Sequence, residues 1–300
     1  MEILITGISG FVGPHLKNEL ENASHHVLGV DRTGDGKNVY ACDLLDEKAV
    51  KHFFNEHQVD FVVHLAALTY VVDSWKNPQK FLDVNVEMTK NIYAALETLS
   101  PKTGVLLVST SDVYGAQKKF PIHEDAPLNP GNPYAKSKLA QEEEALRHSN
   151  IRTIISRAFN HAGPGRSMFL AIPSFARQIA LCEKGKQQNI SVGNLESFRD
   201  YADVRDVVRA YRLLIEKGKP QNVYNICSGQ KRKMSDVLST LISLAAKPIT
   251  VTENHELMRP SDVPEFWGSY NKISLETGWK PSIPFEKTLQ DTLDYWREAV

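Results

Sequence analysis

The alternation of short apolar runs with longer helical stretches is the feature that most constrains the fold of this chain. Four runs in its first half have the pattern of strands, at residues 3–5, 26–30, 61–65 and 105–109. They are almost continuously apolar, which is typical of strands buried on both faces. About 20 to 40 residues of helical pattern separate them, as the crossover units of a parallel sheet require. The pattern predicts a doubly wound α/β fold.

The later part of the chain predicts a return to the same sheet. Two further strands are expected at 151–155 and 223–227, and apolar positions at helical spacing predict a helix over 203–217. After about Asn160 the rhythm changes to loops rich in Gly and Pro. We therefore expect two interleaved domains. A large nucleotide-binding domain would comprise 1–161 and 203–227, and a smaller α/β substrate domain 162–202 and 228–300.

Composition excludes several classes of partner. The chain has 300 residues, 42% of them apolar, and its 35 basic and 36 acidic residues leave a net charge of −1. This near balance argues against a nucleic-acid partner, which would require a broad positive field. No run approaches the ~18 apolar residues of a membrane span and no basic leader precedes the first strand, so we expect a cytoplasmic protein. Cys42, Cys182 and Cys227 are odd in number and scattered, which predicts buried packing residues rather than disulfides or zinc ligands.

The first strand runs directly into a glycine-rich turn, TGISGFVG at residues 6–13, and then into a helical pattern. Gly7 would permit the tight turn, Gly10 the approach of backbone N–H groups to a pyrophosphate, and Gly13 the close packing of helix and strand. Phe11 and Val12 would open the helix that receives the pyrophosphate. An ordinary βα turn is the alternative, but the position between a strand and a helix favours a Rossmann-type dinucleotide site.

Residues after the later strands are candidates for the rest of the cofactor site. Asp31 ends the second strand, where its carboxylate would accept hydrogen bonds from ribose hydroxyls and favour NAD. Arg32 could instead pair with a 2′-phosphate, so that both NADH and NADPH are expected cofactors. Asp43 and Leu44 could contact the adenine edge, and the small residues of the segment Leu65, Ala66 and Ala67 could let a strand end approach the cofactor backbone. Helix capping and core packing are the alternatives for these two segments.

A tyrosine and a lysine four residues apart form the candidate catalytic pair. Tyr134 and Lys138 begin a predicted helix, and the i, i+4 spacing places them on one face. A nearby ammonium would pull the phenol's pKa from near ~10 toward the working range. Lys138 could also donate to the nicotinamide ribose, and Thr110, at a strand end, would hydrogen-bond the reacting oxygen. Such a pair is common by chance, but its combination with the glycine turn and Asp31 favours catalysis.

These motifs resemble those of the extended short-chain dehydrogenase/reductases, the NAD-dependent epimerase/dehydratase family. The glycine turn, the strand-end Ser-Thr-Ser at 109–111 and the Tyr-x-x-x-Lys at 134–138 stand at matching positions. Further motifs are similar to those of the GDP-sugar branch, and most of all to GDP-4-keto-6-deoxy-D-mannose reductases, which make GDP-D-rhamnose. They lie at 121–124, 132–134, 157–165, 192–200, 224–229 and 259–262.

The resemblance implies a GDP-linked deoxyhexose substrate held by the second domain. Asn160 would bond its diphosphate, Arg199 and Arg259 would neutralise it, and Asp262 would accept a ribose hydroxyl. For each arginine an exposed surface ion pair is the alternative. The guanine would lie near 168–175. Helices near 86–99 and 135–148 correspond to those that pair as a four-helix bundle in family dimers, so we expect a homodimer, with a solvated face as the alternative for the second helix.

The expected reaction depends on Asp112. In related dehydratases a Glu two positions after the strand-end Thr is the catalytic base, and the Asp at this place has one methylene less of reach. The leading hypothesis is NAD(P)H-dependent reduction of the C4 ketone of GDP-4-keto-6-deoxy-D-mannose to GDP-D-rhamnose, or to its C4 epimer GDP-6-deoxy-D-talose. A GDP-mannose 4,6-dehydratase or an epimerase is the alternative, and the intact catalytic residues argue against a non-enzymatic sensor. Asp112 would then orient the sugar or cap the turn before Tyr114, and both roles stay open.

Overall fold

A parallel sheet of seven strands forms the centre of the fold. The computed structural model describes residues 1–257 and 263–300. Neighbouring strands of this sheet are all parallel, and they are β1 (Glu2–Thr6), β2 (His26–Asp31), β3 (Val39–Ala41), β4 (Phe61–His64), β5 (Gly104–Thr110), β6 (Thr153–Ala158) and β10 (Asn222–Ile226). Their spatial order is β10-β6-β5-β4-β1-β2-β3. The direction of winding changes between β1 and β4, where open α/β sheets bind ligands beyond the carboxyl ends of their strands.

Helices cover both faces of this sheet. In chain order the helices of the described residues are α1 (Val12–Asn22), α2 (Glu47–Glu56), α3 (Val71–Lys76), α4 (Pro78–Leu99), α5 (Pro133–Arg147), α6 (Ala171–Glu183), α7 (Val204–Lys217), α8 (Met234–Ser243), α9 (Asn271–Thr277) and α10 (Phe285–Ala299). Strand side chains alternate between two cores, as the pleat requires. Ile3 and Ile5 pack under α1 and α7, and Leu4 packs under α2 and α4. The doubly wound α/β prediction is therefore confirmed.

Polar residues mark the starts of three of these helices. Asp46 accepts hydrogen bonds from the N–H groups of Lys48 and Ala49 and begins α2. Asn132 begins α5 and Asp203 begins α7 in the same way, each through its side-chain oxygen. Such caps replace the intrahelical acceptors that the first N–H groups of a helix lack. The position of α5, which carries the candidate catalytic pair, is thus set locally by its own cap.

A smaller group of strands lies outside the large sheet. They are β7 (Asn160–Ala162), β8 (Asn189–Val192), β9 (Phe198–Asp203), β11 (Lys231–Lys233), β12 (Thr250–Glu253) and β13 (Glu265–Phe266). In this part β9 lies between β11 and β13 and also pairs with β7, while β8 pairs with β12. A separate apolar core joins α6, α8 and α10 to these strands.

The late return of the chain to the large sheet is present, with α7 packed against α1 and with β10 beside β6. Ile273 and Trp279, which lie in the second of the two expected domains, pack in the core beneath α7. The domain boundaries themselves stay a prediction. No helix among the described residues is long and apolar enough to cross a membrane.

Two expectations about individual residues are corrected by the structure. The strand expected at 151–155 runs instead over Thr153–Ala158, because Ser156, Arg157 and Ala158 continue the parallel pairing with β5. Arg157 can occupy a central strand because it pairs with a carboxylate described below. Of the three cysteines, Cys42 and Cys227 are buried, whereas Cys182 is partly exposed at the end of α6.

Candidate active site

The turn between β1 and α1 can be built only with glycine at two positions. Gly7 has φ +69°, and a Cβ there would lie 2.9 Å from the Cα of Ala66. A Cβ on Gly13 would lie 2.0 Å from the carbonyl oxygen of Ile8, which is impossible without moving the backbone. Gly10 closes the turn by donating its N–H to the carbonyl of Gly7 at 3.0 Å. No side chain caps α1, so its first N–H groups remain available to an anion.

The two residues after Gly10 contribute to this turn through their backbone. The side chain of Phe11 stacks on His161, with ring centroids 5.9 Å apart, and lies under the guanidinium of Arg166. The side chain of Val12 packs against the core beneath α1. The phenyl ring of Phe11 therefore contacts protein on the far side of the turn.

Asp31 lies at the end of β2, directly beside the glycine turn. Its carboxylate accepts hydrogen bonds from the N–H groups of Ser9, at 3.1 Å, and Arg32, at 2.8 Å. These bonds orient the carboxylate at the sheet edge where a ribose would lie. The side chain of Arg32 is exposed beside it. Asp31, for the ribose hydroxyls of NAD, and Arg32, for the 2′-phosphate of NADP, therefore stand side by side at the end of β2.

The remaining predicted cofactor residues differ in how accessible they are. The Asp43 carboxylate is exposed and accepts the N–H of Leu45 at 3.0 Å, so it caps a turn. Leu44 is buried in the core, which is the packing alternative. Leu65, Ala66 and Ala67 follow β4 and are half-buried. The close approach of Ala66 to Gly7 shows why small residues stand there.

Thr110, Tyr134 and Lys138 come together at the carboxyl edge of β5. The hydroxyl of Thr110 accepts the N–H of Asp112 at 3.2 Å and starts a 3₁₀ turn over Ser111–Tyr114. Thr110 therefore provides the cap of this turn, a role that the sequence left open for the Asp112 side chain. The same hydroxyl interacts with the phenol of Tyr134. Lys138, one helical turn further along α5, is only 2% exposed.

The pKa of Tyr134 is raised in this site. Burial is the largest cause and the negative charge of Asp112 adds to it, whereas the hydrogen bond with Thr110 and the charge of Arg166 oppose it. The expectation that Lys138 draws this pKa toward neutrality is wrong for this structure, because burial and Asp112 outweigh the opposing effects. A phenol with a raised pKa keeps its proton at neutral pH. Tyr134 therefore carries a proton, as an unperturbed phenol would, and the higher pKa makes it a weaker acid until a neighbouring oxygen gains charge.

The pKa of Lys138 is lowered from 10.5 to about 8, because burial disfavours its charge, and the carboxylate of Glu142 opposes that shift. His64 lies near Lys138 and forms hydrogen bonds through both ring nitrogens. Its Nδ1 lies 2.8 Å from the hydroxyl of Thr6, and its Nε2 lies 3.2 Å from the hydroxyl of Thr89. Burial, followed by the charge of Lys138, lowers the pKa of His64 to about 3, so this histidine is neutral. A fixed network of neutral groups thus lies under the ammonium.

A buried ion pair behind Lys138 was not found by sequence reasoning. Glu142 lies four residues after Lys138 on the same face of α5 and is 2% exposed. It accepts bonds from the guanidinium of Arg157, at 2.6 Å from Nη2 and 3.1 Å from Nε, and a further bond from Ser109. These bonds raise the pKa of Arg157 even though burial opposes its charge. The available signal was an arginine just after a run of strand-forming residues, at a position that the structure shows to be inside a buried strand.

The predicted substrate residues lie in the smaller group of strands. Asn160 is exposed at the start of β7 and pairs in register with Tyr201 of β9. Arg199 is half-buried in β9, and its Nη1 donates to the carbonyl of Phe198 at 2.8 Å. Arg259 and Asp262 lie outside the described residues. Near the expected guanine pocket, Met168 and Phe169 are exposed before α6.

Comparison with known proteins agrees with this geometry. The chain matches the GDP-mannose 4,6 dehydratase family over residues 4–292. It is 35% identical to the GDP-6-deoxy-D-mannose reductase of Pseudomonas aeruginosa, over 99% of this chain and 98% of the relative. It is 31% identical to the GDP-6-deoxy-D-talose 4-dehydrogenase of Aggregatibacter actinomycetemcomitans, over 91% of this chain and 90% of the relative.

Solved structures show the same fold over the whole chain. RMD from Pseudomonas aeruginosa complexed with NADPH superimposes with a TM-score of 0.92 at 34% identity, covering 100% of this chain and 99% of that one. UDP-glucose 4-epimerase from Thermus thermophilus in complex with NAD gives 0.90 at 25% identity, covering 100% of both chains. The Rossmann-type prediction and the resemblance are confirmed. The chain therefore belongs to the GDP-mannose 4,6 dehydratase family, within the extended short-chain dehydrogenase/reductases that its motifs predicted.

Proposed function

We propose that this protein is an NAD(P)H-dependent oxidoreductase that reduces the C4 ketone of GDP-4-keto-6-deoxy-D-mannose. The product would be GDP-D-rhamnose or its C4 epimer, GDP-6-deoxy-D-talose. The observation that carries the proposal is the phenol of Tyr134, hydrogen-bonded with Thr110 at the sheet edge where the glycine turn also lies. Ketone reduction requires a group that donates a proton to the oxygen. The similarity to the Pseudomonas reductase over nearly the whole chain supports the same reaction.

The residues present suit a dinucleotide cofactor. Gly7 and Gly13 let the turn pack tightly against Ala66 and Ile8, and the first N–H groups of α1 have no side-chain cap. Asp31 is held at the end of β2 to meet the adenosine ribose. Lys138 would bind the nicotinamide ribose. When bound, NAD(P)H supplies the hydride that the ketone carbon accepts.

The protein's own part in the reaction is positioning and proton delivery. Thr110 would hold the ketone oxygen against the hydroxyl of Tyr134, which gives its proton to that oxygen. A phenol is protonated at neutral pH, and it transfers its proton as the oxygen gains charge from the hydride. Asp112, whose charge contributes to the raised pKa of Tyr134, would act through that phenol and contact the sugar. It is not needed as the base that a dehydratase requires.

A coupled assay tests the proposal. Purified protein is incubated with GDP-4-keto-6-deoxy-D-mannose and either NADH or NADPH, and the absorbance of the reduced cofactor is followed. We expect stoichiometric oxidation of cofactor. Tyr134→Phe should lower turnover by about 10²- to 10⁴-fold, the usual contribution of a general acid. Tyr295→Phe, on the exposed face of α10, is the matched control and should leave turnover unchanged.

Two outcomes would overturn the proposal. The absence of cofactor oxidation with this ketone would exclude the reductase. Formation of a keto product from GDP-mannose alone would identify a 4,6-dehydratase, the alternative that the family name keeps in view. Proton NMR of the isolated product gives the configuration at C4, and so separates the D-rhamnose product from the 6-deoxy-D-talose product that the second relative's name suggests.

We further propose a homodimer formed through α4 and α5. These helices pack against one another and leave an open groove of about 580 Å³, whose lining includes Leu82, Val86 and Ala140. A second copy of the same helix pair would cover these apolar side chains. Light scattering after size exclusion should give twice the chain mass for the wild type, and the single chain mass for Val86→Arg. A monomeric wild type would refute this assembly.

A further inference from the structure

Arg166 lies next to the glycine turn, in the loop that joins β7 to α6. The loop is held against α1 at two points. His15 donates a hydrogen bond from Nε2 to the carbonyl oxygen of Pro164 at 3.1 Å, and the ring of Phe11 stacks on His161. A Cβ on Gly163 would lie 2.6 Å from Val204, so the loop passes close to α7 as well. Its backbone is therefore fixed with respect to both helices.

The guanidinium of Arg166 has no anionic partner in the described part of the chain. Its central carbon lies 4.6 Å from the centroid of the Phe11 ring, a cation–π contact. Its Nε is buried and has no hydrogen-bond partner among residues 1–257 and 263–300. A buried guanidinium without an anion is costly. The fixed loop holds this charge in place, which is what a site awaiting an anionic ligand requires.

The surroundings of Arg166 indicate which anion would bind. Phe11 immediately precedes α1, whose free N–H groups are the expected site of the cofactor diphosphate. The charge of Arg166 also acts on Tyr134, at the reacting end of the cleft. A cation in contact with the turn and within electrostatic range of Tyr134 is therefore close both to the expected diphosphate site and to the reacting end of the cleft. Tyr201 of β9 also lies within electrostatic range of Arg166, and the substrate diphosphate is expected at Arg199 of the same strand, so binding of GDP has to be tested beside that of the cofactor.

We infer that Arg166 binds the cofactor diphosphate together with the N-terminus of α1. This inference rests on the proposed use of NAD(P)H. The planar fork of the guanidinium can donate two hydrogen bonds to phosphate oxygens while its face stays on Phe11. Backbone N–H groups from α1 would solvate one part of the diphosphate, and Arg166 would neutralise its charge. Arg166 is therefore a cofactor-binding residue contributed by the loop before α6, outside the glycine turn itself.

Direct binding measurements test this assignment without turnover. Dissociation constants for NADPH, ADP-ribose and GDP are measured by calorimetry for the wild type, Arg166→Met and Arg166→Lys. Arg166→Met keeps an unbranched apolar stem over Phe11 and removes the charge. We expect it to weaken NADPH and ADP-ribose equally, by about 10- to 100-fold, the usual range for charge-assisted hydrogen bonds. Arg166→Lys should recover part of that loss, and GDP binding should not change.

The matched control is Arg152→Met. Arg152 makes the same kind of contact, with its guanidinium 4.8 Å from the Phe61 ring centroid, but it immediately precedes β6, at the opposite edge of the sheet. It should bind NADPH as the wild type does. Thermal melting of each variant shows that the proteins compared are folded, and Arg166→Lys keeps the test valid if Arg166→Met folds poorly.

Each other outcome overturns the inference. Unchanged NADPH binding by Arg166→Met, with tight binding by the wild type, refutes the inference and leaves the proposed function standing. A loss of affinity confined to GDP would indicate that the guanidinium binds the substrate diphosphate. A loss for NADPH without one for ADP-ribose would place the guanidinium at the nicotinamide half or at the 2′-phosphate, the two parts of NADPH that ADP-ribose lacks. A wild type that binds neither NADH nor NADPH overturns the proposed function, and this inference with it.

Discussion

Replacing Lys138 with Met should stabilise the protein in the absence of ligands while it removes activity. Lys138 is buried, and burial lowers its pKa from 10.5 to about 8. The ammonium is better solvated in the unfolded chain than in the folded protein, so its charge lowers the free energy of unfolding. Methionine keeps the unbranched stem and removes the ammonium. Glu142 does not lose its main partner, because it stays bonded to Arg157.

The magnitude follows from the shift in pKa. Each unit corresponds to about 1.4 kcal/mol, so the cost of the charge at about pH 7 is roughly 3 kcal/mol. The folded pKa lies below the unfolded one, so the unfolded state binds more protons between these two values. Stability of the wild type therefore rises with pH through this window. At about pH 9.5 the remaining cost is roughly 1 kcal/mol, and the advantage of the variant shrinks accordingly.

Urea unfolding at the two pH values measures this effect. Lys136→Met is the matched control, because Lys136 is exposed on the same helix, two residues earlier, and should give no change at either pH. A Lys138→Met protein that is no more stable than the wild type at neutral pH would refute the burial cost. An equal gain at both pH values would refute its assignment to titration of Lys138.

Three further perturbations test other parts of the site. Glu142→Gln leaves the guanidinium of Arg157 buried without its carboxylate, which should cost about 3 to 5 kcal/mol in urea unfolding. It should also move the alkaline loss of activity to lower pH, because Glu142 raises the pKa of Lys138. Gly13→Ala places a Cβ 2.0 Å from the carbonyl oxygen of Ile8, and should cost about 1 to 3 kcal/mol and weaken NADPH binding in calorimetry. Asp112→Asn should keep ketone reduction within about tenfold in the cofactor assay, because its carboxylate is not the proton donor.

Matched variants make these results interpretable. Glu143→Gln changes an exposed carboxylate next to Glu142 and should leave stability unchanged. Gly131→Ala adds a methyl group where nothing lies within 4 Å and should be neutral. A Glu142→Gln protein of wild-type stability would contradict the buried ion pair. A loss of reduction in Asp112→Asn as large as that in Tyr134→Phe would give the carboxylate a part in the chemistry.

Much of the fold could be predicted because its signals are local. Apolar runs buried on both faces and helical periodicity are properties of short segments. They located all six strands that were predicted in the large sheet, although the one expected at 151–155 begins two residues later and ends three residues later. The glycine turn is also local, since Gly7 and Gly13 are required by contacts within one βα unit and its neighbouring strand. The i, i+4 spacing of Tyr134 and Lys138 needs only a helix.

The electrostatics of the site depend on tertiary structure. Tyr134 has a raised pKa because burial and Asp112, from another element, act on it together. The pKa of Lys138 is lowered by burial and raised by the charge of Glu142, which is bonded to Arg157 of β6. Phe11 faces Arg166, which is distant in sequence. Sequence spacing thus determined which groups stand at the carboxyl edge of the sheet. Their protonation and partners were decided by folding, because desolvation and Coulomb energy depend on distances between segments that only the packed structure brings together.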